Sequence, residues 1–544
     1  MSTKHSKFVN RIRIVGRLTL DSELHIGDGG VTPDTTFTNN ESQTRRPPDI
    51  ATIARDAGGN PVIPGAAIKG VLRSYLEKGE SLKPVIDAVF GRAPGRKSSD
   101  IQELPEEERG TGGKVEFSYA QLLPLANDDA AETASDTPHE LSVQSSVGIN
   151  RQTGAAHDRA LRSSQYVPRG RAFEVELVGF NLDDSEIGLL LHGLGGFGDR
   201  ERLRLGAGHA NQAGLATWEL VELHHIQPQD VKRWFATPRA DRLDWRKIGK
   251  LSENARKKLE ERAAKAISGK FAKPSRMTCE IALHFDGPFL TNDARSTDDD
   301  VDHRPRLTCD GRLLLAARGF RGAFRSQAER IVRTLNGEAA GDPFAKPSGS
   351  AAKTPSKAAP NPIDELFGNT DHRSMLEVSD FVADAPLSAT EVQEFVAIDR
   401  FTGGAADAKK FNAHFAYQAT LKGRLSILIK DLQPWSLGLL ALTMRDLIEG
   451  DITFGWGASK GYGACRAEIT KISCPMAFDV AQAFGEESSI DAKSWKSSHK
   501  MLHRFAPLDP DLLEPTKSIF PALLASAVKQ LHAKLGITGQ IAAG

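Results

Sequence analysis

Cysteine is scarce. The 544 residues hold four, at Cys279, Cys309, Cys465 and Cys474, and no two form a Cys-x-x-Cys pair. That excludes a disulfide scaffold and a structural zinc site, and it suits a reducing compartment. Aromatic residues are sparse at 7%, so recognition by many stacked bases is not expected. No one sign of charge dominates, with 70 basic against 70 acidic residues. This does not favour nucleic acid overall, but a local basic stripe suffices for such a site. No stretch approaches the ~18 apolar residues of a membrane span. Residues 1–16 carry basic side chains without an apolar signal core. The expectation is a cytoplasmic protein with no membrane partner.

What is present is enough apolar residue for real cores: 40% hydrophobic and 26% charged. At roughly 100–200 residues per domain, the length implies two to four domains. The chain also repeats itself. Ile149-Asn-Arg-Gln-Thr-Gly-Ala-Ala156 returns as Ile398-Asp-Arg-Phe-Thr-Gly-Gly-Ala405. Gly206-x-Gly208 with Gly214 returns as Gly455-x-Gly457 with Gly463. Ala67-Ile-Lys-Gly-Val-Leu-Arg73 returns as Gly319-Phe-Arg-Gly-Ala-Phe-Arg325. Val89-Phe-Gly91 and Leu366-Phe-Gly368 follow, then Val115-Glu-Phe-Ser118 and Leu376-Glu-Val-Ser379. Five matches in one order, 249 to 277 residues apart, define two related domains rather than a solenoid.

The boundaries expected are 8–230 for the first domain, 231–276 for a helical linker, 277–475 for the second domain and 476–544 for a C-terminal helical extension. Residues 340–362 are rich in Pro, Ser, Ala and Lys and read as a mobile insertion. Residues 252–266 read as an exposed helix capped by Ser252. Residues 12–20, 173–178, 279–285 and 425–429 read as strands. Residues 67–76, 187–191 and 437–447 read as helices, with Ile68, Val71, Leu72, Tyr75 and Leu76 on one face. Each copy thus offers strand, helix, strands, helix, strand. The fold class is α+β, with two tandem ferredoxin-like, RRM-like domains carrying insertions.

Three motifs could carry chemistry. In Ile63-Pro-Gly-Ala-Ala-Ile-Lys-Gly70, Pro64 and Gly65 end a strand and open a helix, whose free N–H groups suit a phosphate. Lys69 and Arg73 share a face there, and Arg321 and Arg325 repeat the pair. The motif lacks the Lys-Ser/Thr of a Walker loop. In the second motif Arg151, Thr153, Arg159, Arg162, Arg169 and Arg171 make a polar, basic arm, echoed by Arg400 and Thr402. It suits a polyanion backbone or a bare hairpin. The third is glycine-rich: Gly206, Gly208 and His209, and again Gly455, Gly457 and Lys460. It permits close approach to a ligand or simply a tight turn.

Together these motifs resemble the CRISPR-associated RAMP superfamily. The likeness is greatest to backbone subunits of type III effector complexes, here as two copies in tandem. It covers most of residues 12–225 and 280–470. Residues 63–73 are the most specific match and 398–405 the next. The resemblance implies an RRM-like palm that binds guide CRISPR RNA. It implies a thumb hairpin, at the Arg151 and Arg400 regions, that wedges into the guide–target duplex. It implies other effector subunits as partners. It also implies that an Asp in the loop before the Ile-Pro-Gly motif cuts complementary target RNA.

In the first copy that residue is Asp49, 20 residues before Lys69. In the second copy the same spacing falls on Val301. A one-residue gap selects Asp302, with Asp300 the runner-up. Leu315-Ala-Ala317 also replaces Ile-Pro-Gly there, which makes the first copy the better candidate for activity. RNA brings its own nucleophile, the 2′-OH, so an enzyme must orient it, stabilise the phosphorane and assist proton transfer. A loop carboxylate can hold Mg²⁺ or Mn²⁺, or accept the proton, and Asp49 and Asp302 are the candidate metal ligands. The expected products are a 2′,3′-cyclic phosphate and a 5′-OH. Two alternatives stay open: a non-catalytic RAMP subunit that caps or holds the guide, and a guide-processing endoribonuclease with His25 as base.

Overall fold

The computed structural model describes residues 7–473 apart from 35–48, 78–81, 94–109, 125–140, 152, 158–159, 199–202, 240–243, 245–246, 269–275, 294–300, 309, 338–361, 370–371 and 429–432, together with 528 and 531–535. The first copy runs β1 (Arg11–Leu20), β2 (Gly27–Pro33), β3 (Asp49–Ile53), β4 (Val62–Ile63), α1 (Gly65–Leu76), α2 (Lys83–Phe90), β5 (Gly91–Arg92), β6 (Thr111–Gly112), β7 (Val115–Phe117), β8 (Ala120–Leu122), β9 (Ser142–Ser146), β10 (Arg162–Tyr166), β11 (Ala172–Phe180), α3 (Asp184–Leu194) and β12 (Ala216–Ile226). Two helices follow, α4 (Pro228–Ala236) and α5 (Glu253–Ile267). The second copy runs β13 (Arg276–His284), β14 (Pro288–Phe289), β15 (Arg312–Leu315), α6 (Ala317–Asn336), α7 (Pro362–Phe367), β16 (Leu376–Val378), β17 (Phe381–Pro386), β18 (Glu391–Ile398), β19 (Ala405–Tyr417), β20 (Thr420–Leu428), α8 (Pro434–Glu449) and β21 (Arg466–Ser473).

The two main sheets have one topology. Their orders are β12-β1-β11-β8-β4 and β21-β13-β20-β17-β15, with β7 added to β11 and β16 to β20. Reduced to its principal strands, each has the fourth-first-third-second order of a ferredoxin-like domain. Both central strands carry a bulge at the matching place, Val15/Gly16 and Glu280/Ile281. The alternation read in each strand puts its apolar side chains toward one helical layer. In β1, Ile12, Ile14, Leu18 and Leu20 are buried.

Each copy has its own core. α1 buries Ile68, Leu72, Tyr75 and Leu76, while Val71 stays at the edge. In α6, Phe320 lies between Phe381 and Phe454, with ring centroids 4.4 and 5.0 Å away and planes 18° and 7° apart. α3 starts on a capping box: Asp183 accepts the Glu186 N–H at 2.9 Å and Glu186 accepts the Asp183 N–H at 2.9 Å.

The segment expected to be an exposed helical linker is built differently. α5 puts Leu259 and Ala263 into the first core, and Gly188 of α3 lies against the Ala263 backbone. Ser252 stands at its N-cap without a side-chain hydrogen bond. The amphipathic spacing of Leu259, Ala263 and Ile267 is what binds it to α3. In the C-terminal stretch, Leu531 is buried in the second core. The expected insertion 340–362 lies outside the described residues except Pro362, which opens α7.

Candidate nucleic-acid interface

The Ile-Pro-Gly element forms as expected, with Pro64 at the N-cap of α1. Its glycine answers to packing. A Cβ on Gly65 would lie 2.0 Å from the Phe117 carbonyl oxygen. Lys69 is half-buried and makes no ion pair or hydrogen bond among the described residues. Arg73 is committed to the fold. It donates to Glu77 at 2.7 Å, to Asp87 at 3.1 Å and to the Gly91 carbonyl. Arg325 does the same, donating to Glu329 at 2.8 Å and to the Gly368 carbonyl at 3.0 Å. Arg321 donates to the Phe367 carbonyl, and burial beside Arg325 pulls its pKa down to about 10. The recurrence of Arg73 with Arg325 therefore comes from clamping the Phe-Gly end of the next helix. It is not evidence of a phosphate site.

The Ile-(Asn/Asp)-Arg-x-Thr-Gly motif makes a turn in both copies. Asn150 Oδ1 accepts the Thr153 N–H at 3.1 Å, and Asp399 Oδ1 accepts the N–H groups of Phe401 at 2.7 Å and Thr402 at 3.3 Å. The Thr153 and Thr402 hydroxyls each accept an N–H two residues on. Both threonines thus build the tip. The arginines diverge. Arg151 reaches the second copy, where its Nε donates to Glu329 Oε2 at 2.9 Å. Arg400 is exposed and makes no ion pair or hydrogen bond among the described residues, beside a fully exposed Phe401. Arg162 is exposed as well. Arg159 lies outside the described residues.

The glycine-rich elements are tight loops. Gly206 has φ +71° and lies against the His25 carbonyl, and Gly455 has φ +90° and lies against the Leu290 carbonyl. Gly208 and Gly457 are the left-handed N-caps of the short 3₁₀ turns that follow. His209 is half-buried, and burial lowers its pKa. Lys460 is exposed, with Nζ 5.2 Å from the Trp456 ring centre. Trp456 belongs to an aromatic cluster with Phe395, Phe411, Tyr462 and His303. The first copy has Ala207 and Ala213 at the places of Trp456 and Tyr462. Sequence reading missed this cluster because its members are spread over residues 303–462.

Asp49 is exposed at the start of β3, paired in register with Pro33 of β2. The gap assumed for Asp302 is absent. Gly27 pairs with Ile53 as Asn292 pairs with Pro305. Arg55 pairs with Pro61 as Leu307 pairs with Leu313. Ala51 runs parallel to Ser164 as His303 runs parallel to Ala413. Val301 therefore holds the place of Asp49, and Asp302 that of the buried Ile50. Asp302 Oδ2 accepts the Asn412 N–H at 2.8 Å, and its own N–H donates to Asn412 Oδ1 at 3.1 Å. Asp300 lies outside the described residues. His25 is tied to the fold, its Nδ1–H donating to the Gln165 carbonyl at 2.7 Å.

Around Asp49 the described residues form no cluster of metal-ligating side chains. The one cluster found among them is Asp446, Glu449 and Asp451, on α8 and just beyond it. One carboxylate still fits Mg²⁺, which keeps several waters and binds through one or two carboxylates plus substrate phosphates.

Also missed was the joint between the copies. Arg204 donates to Glu377, which Arg276 also meets at 2.7 Å. Arg318 donates to the Tyr166 hydroxyl at 2.8 Å. The signal was there in part: Arg73-x-x-x-Glu77 recurs as Arg325-x-x-x-Glu329, and Glu116 recurs as Glu377.

No helix among the described residues is long and apolar enough to cross a membrane. The profile of the RAMP superfamily matches residues 17–216 and again 253–466. The CRISPR system Cms endoribonuclease Csm3 of Enterococcus italicus is 28% identical over 181 residues, which span 32% of this chain and 73% of that protein. Two matched segments on two domains of one topology make this chain a tandem member of the RAMP superfamily.

Proposed function

We propose that the chain is a guide-RNA-binding backbone subunit of a type III CRISPR effector complex, and that its first copy cuts complementary target RNA. The observation that carries this is Asp49. It is an exposed carboxylate on the strand before the Ile-Pro-Gly helix, in a chain matched twice by the RAMP profile. The similarity to a named CRISPR endoribonuclease supports the same reading.

Lys69, Arg162, Arg400 and Lys460 are the candidate phosphate contacts, because no carboxylate among the described residues neutralises them. Asp49 would hold Mg²⁺ together with phosphate oxygens of the target, and the ion would supply charge neutralisation at the reacting phosphate. Asp49 would also accept the 2′-OH proton through water. Attack of that oxygen on its own phosphorus leaves a 2′,3′-cyclic phosphate and a 5′-OH.

The second copy fits a holding role better. Val301 replaces the carboxylate, and Asp302 is bound to Asn412. The test is target-RNA cleavage by the guide-loaded complex with Mg²⁺ and with EDTA, followed by analysis of the product ends. Cuts that need Mg²⁺ and leave cyclic phosphate support the reading. Bound but uncut RNA would assign the chain to the structural alternative.

A further inference from the structure

Arg162 stands beside Asp49. Strands β3 and β10 run parallel, with Ser163 against Ile50 and Ser164 against Ala51. The residues one step earlier, Arg162 and Asp49, are therefore neighbours on one face of that sheet. It is the outer face. Ile50 and Ser163 turn inward, at 5% and 4% exposure, whereas Asp49 and Arg162 are exposed. The Arg162 side chain makes no ion pair or hydrogen bond among the described residues. An acid and a cation thus sit on adjacent strands, and the cation is not spent on the fold.

The second copy changes both residues together. His303 beside Ala413 puts Val301 beside Phe411, and these hold the places of Asp49 and Arg162. Phe411 pairs with Phe395 as Arg162 pairs with Ser146. The Phe411 ring centre lies 4.9 Å from that of Phe395, 5.7 Å from that of His303 and 6.4 Å from that of Trp456. The first copy has Ser146, Ala51 and Ala207 at those three places. One copy packs rings over this face. The other leaves small side chains around an acid and a cation. The frame itself does not need an arginine here, for the second copy folds without one.

We propose that Arg162 is a catalytic residue of the first copy, its guanidinium donating to the non-bridging oxygens of the scissile phosphate. This rests on the reading of Asp49 given above. In the step, the 2′-oxygen bonds to phosphorus and its proton passes through water to Asp49. The bond from phosphorus to the 5′-oxygen breaks, and that oxygen leaves with a proton from water. Negative charge grows on the non-bridging oxygens as the phosphorane forms, and a planar guanidinium can meet two of them at once. The contact is stronger in the transition state than with bound RNA, so it sets the rate more than the affinity. That separates Arg162 from Lys69, Arg400 and Lys460, whose phosphates do not react.

The test is single-turnover cleavage of target RNA by saturating guide-loaded complex with Mg²⁺, beside filter binding of the same RNA. Wild type is compared with Asp49→Ala, Arg162→Ala and Arg162→Lys. At the cut that Asp49→Ala erases, Arg162→Ala should lower the rate constant about 10²–10³-fold, with a far smaller loss of affinity. Arg162→Lys, or guanidinium ion added to Arg162→Ala, should restore part of the rate, and guanidinium should not help Asp49→Ala. Guide loading should stay as in wild type for both Arg162 variants, because the side chain is exposed. The proposal alone is overturned if the cut needs Asp49 but Arg162→Ala reaches the wild-type rate once saturated. It is also overturned if neither lysine nor guanidinium restores any rate. A wild-type complex that cuts nothing, or whose cuts survive Asp49→Ala, overturns the proposed function and this proposal with it.

Discussion

Val301 stands in the second copy where Asp49 stands in the first, as the matched pairings of Ala51, Ile53 and Arg55 with those of His303, Pro305 and Leu307 show. A shift of one residue along a strand turns a side chain to the opposite face. Asp302 is that one residue away. Its carboxylate meets the Asn412 N–H at the base of the hairpin, where it ties β19 to the preceding segment. The duplication has kept the frame but not the residue: the first copy has an exposed carboxylate before the helix, and in the second copy the nearest described acid, Asp302, is held by Asn412.

The cations separate into two groups with opposite phenotypes. Arg73→Ala and Arg325→Ala each strip a charged donor from a helix-end carbonyl and a carboxylate. Each should cost about 2 kcal/mol of stability, read as a drop in the urea midpoint. Lys69→Ala should leave that midpoint unchanged and weaken guide-RNA binding, lowering the salt slope by about one.

The two hairpin tips should behave differently although their motif is shared. Arg151→Ala removes one of the pairs joining the copies and should destabilise the chain by about 1–2 kcal/mol. The loss is tempered because Glu329 keeps Arg325. Arg400→Ala should have no effect on stability and should reduce RNA affinity. Urea titration beside filter binding on both variants checks this.

Phe320 is fully buried between two phenylalanine rings. Phe320→Ala should cost about 3–5 kcal/mol, and the transition of the second core should move to lower urea. Phe320→Leu should recover much of the loss. Equal losses for the two would contradict the stacked packing.

Glu222 gives a pH signature. Lys250 and His224 hold its carboxyl down to about 2 from an ordinary 4.5. A carboxylate depressed in the folded state stabilises above its unfolded pKa and loses that contribution as pH falls toward the folded value. The melting-temperature gap between wild type and Glu222→Gln should therefore be present at about pH 7 and close between about pH 4.5 and 2. A gap that persists at about pH 2 would contradict the assignment.

The fold and its duplication were legible because repeated apolar periods and repeated turn residues report local geometry. The strands at 12–20 and 279–285 and the helices after Ile63 and Leu315 all formed. What sequence could not supply was the partner of each charge. Arg73 and Arg151 look alike as exposed cations, yet one clamps Gly91 and the other crosses 178 residues to Glu329. The helix at 253–267 looked exposed because its surface is charged, while three small or apolar residues bury it on α3. The position of Asp302 went astray by one residue, for the spacing from Arg321 had already pointed to Val301.

The most direct measurement is a cleavage map of target RNA by the guide-loaded complex with Mg²⁺, comparing wild type with Asp49→Ala and Asp302→Ala. The account predicts that Asp49→Ala erases a cut while RNA stays bound, and that Asp302→Ala leaves every cut in place. A map unchanged by Asp49→Ala, or a cut lost only in Asp302→Ala, would contradict it.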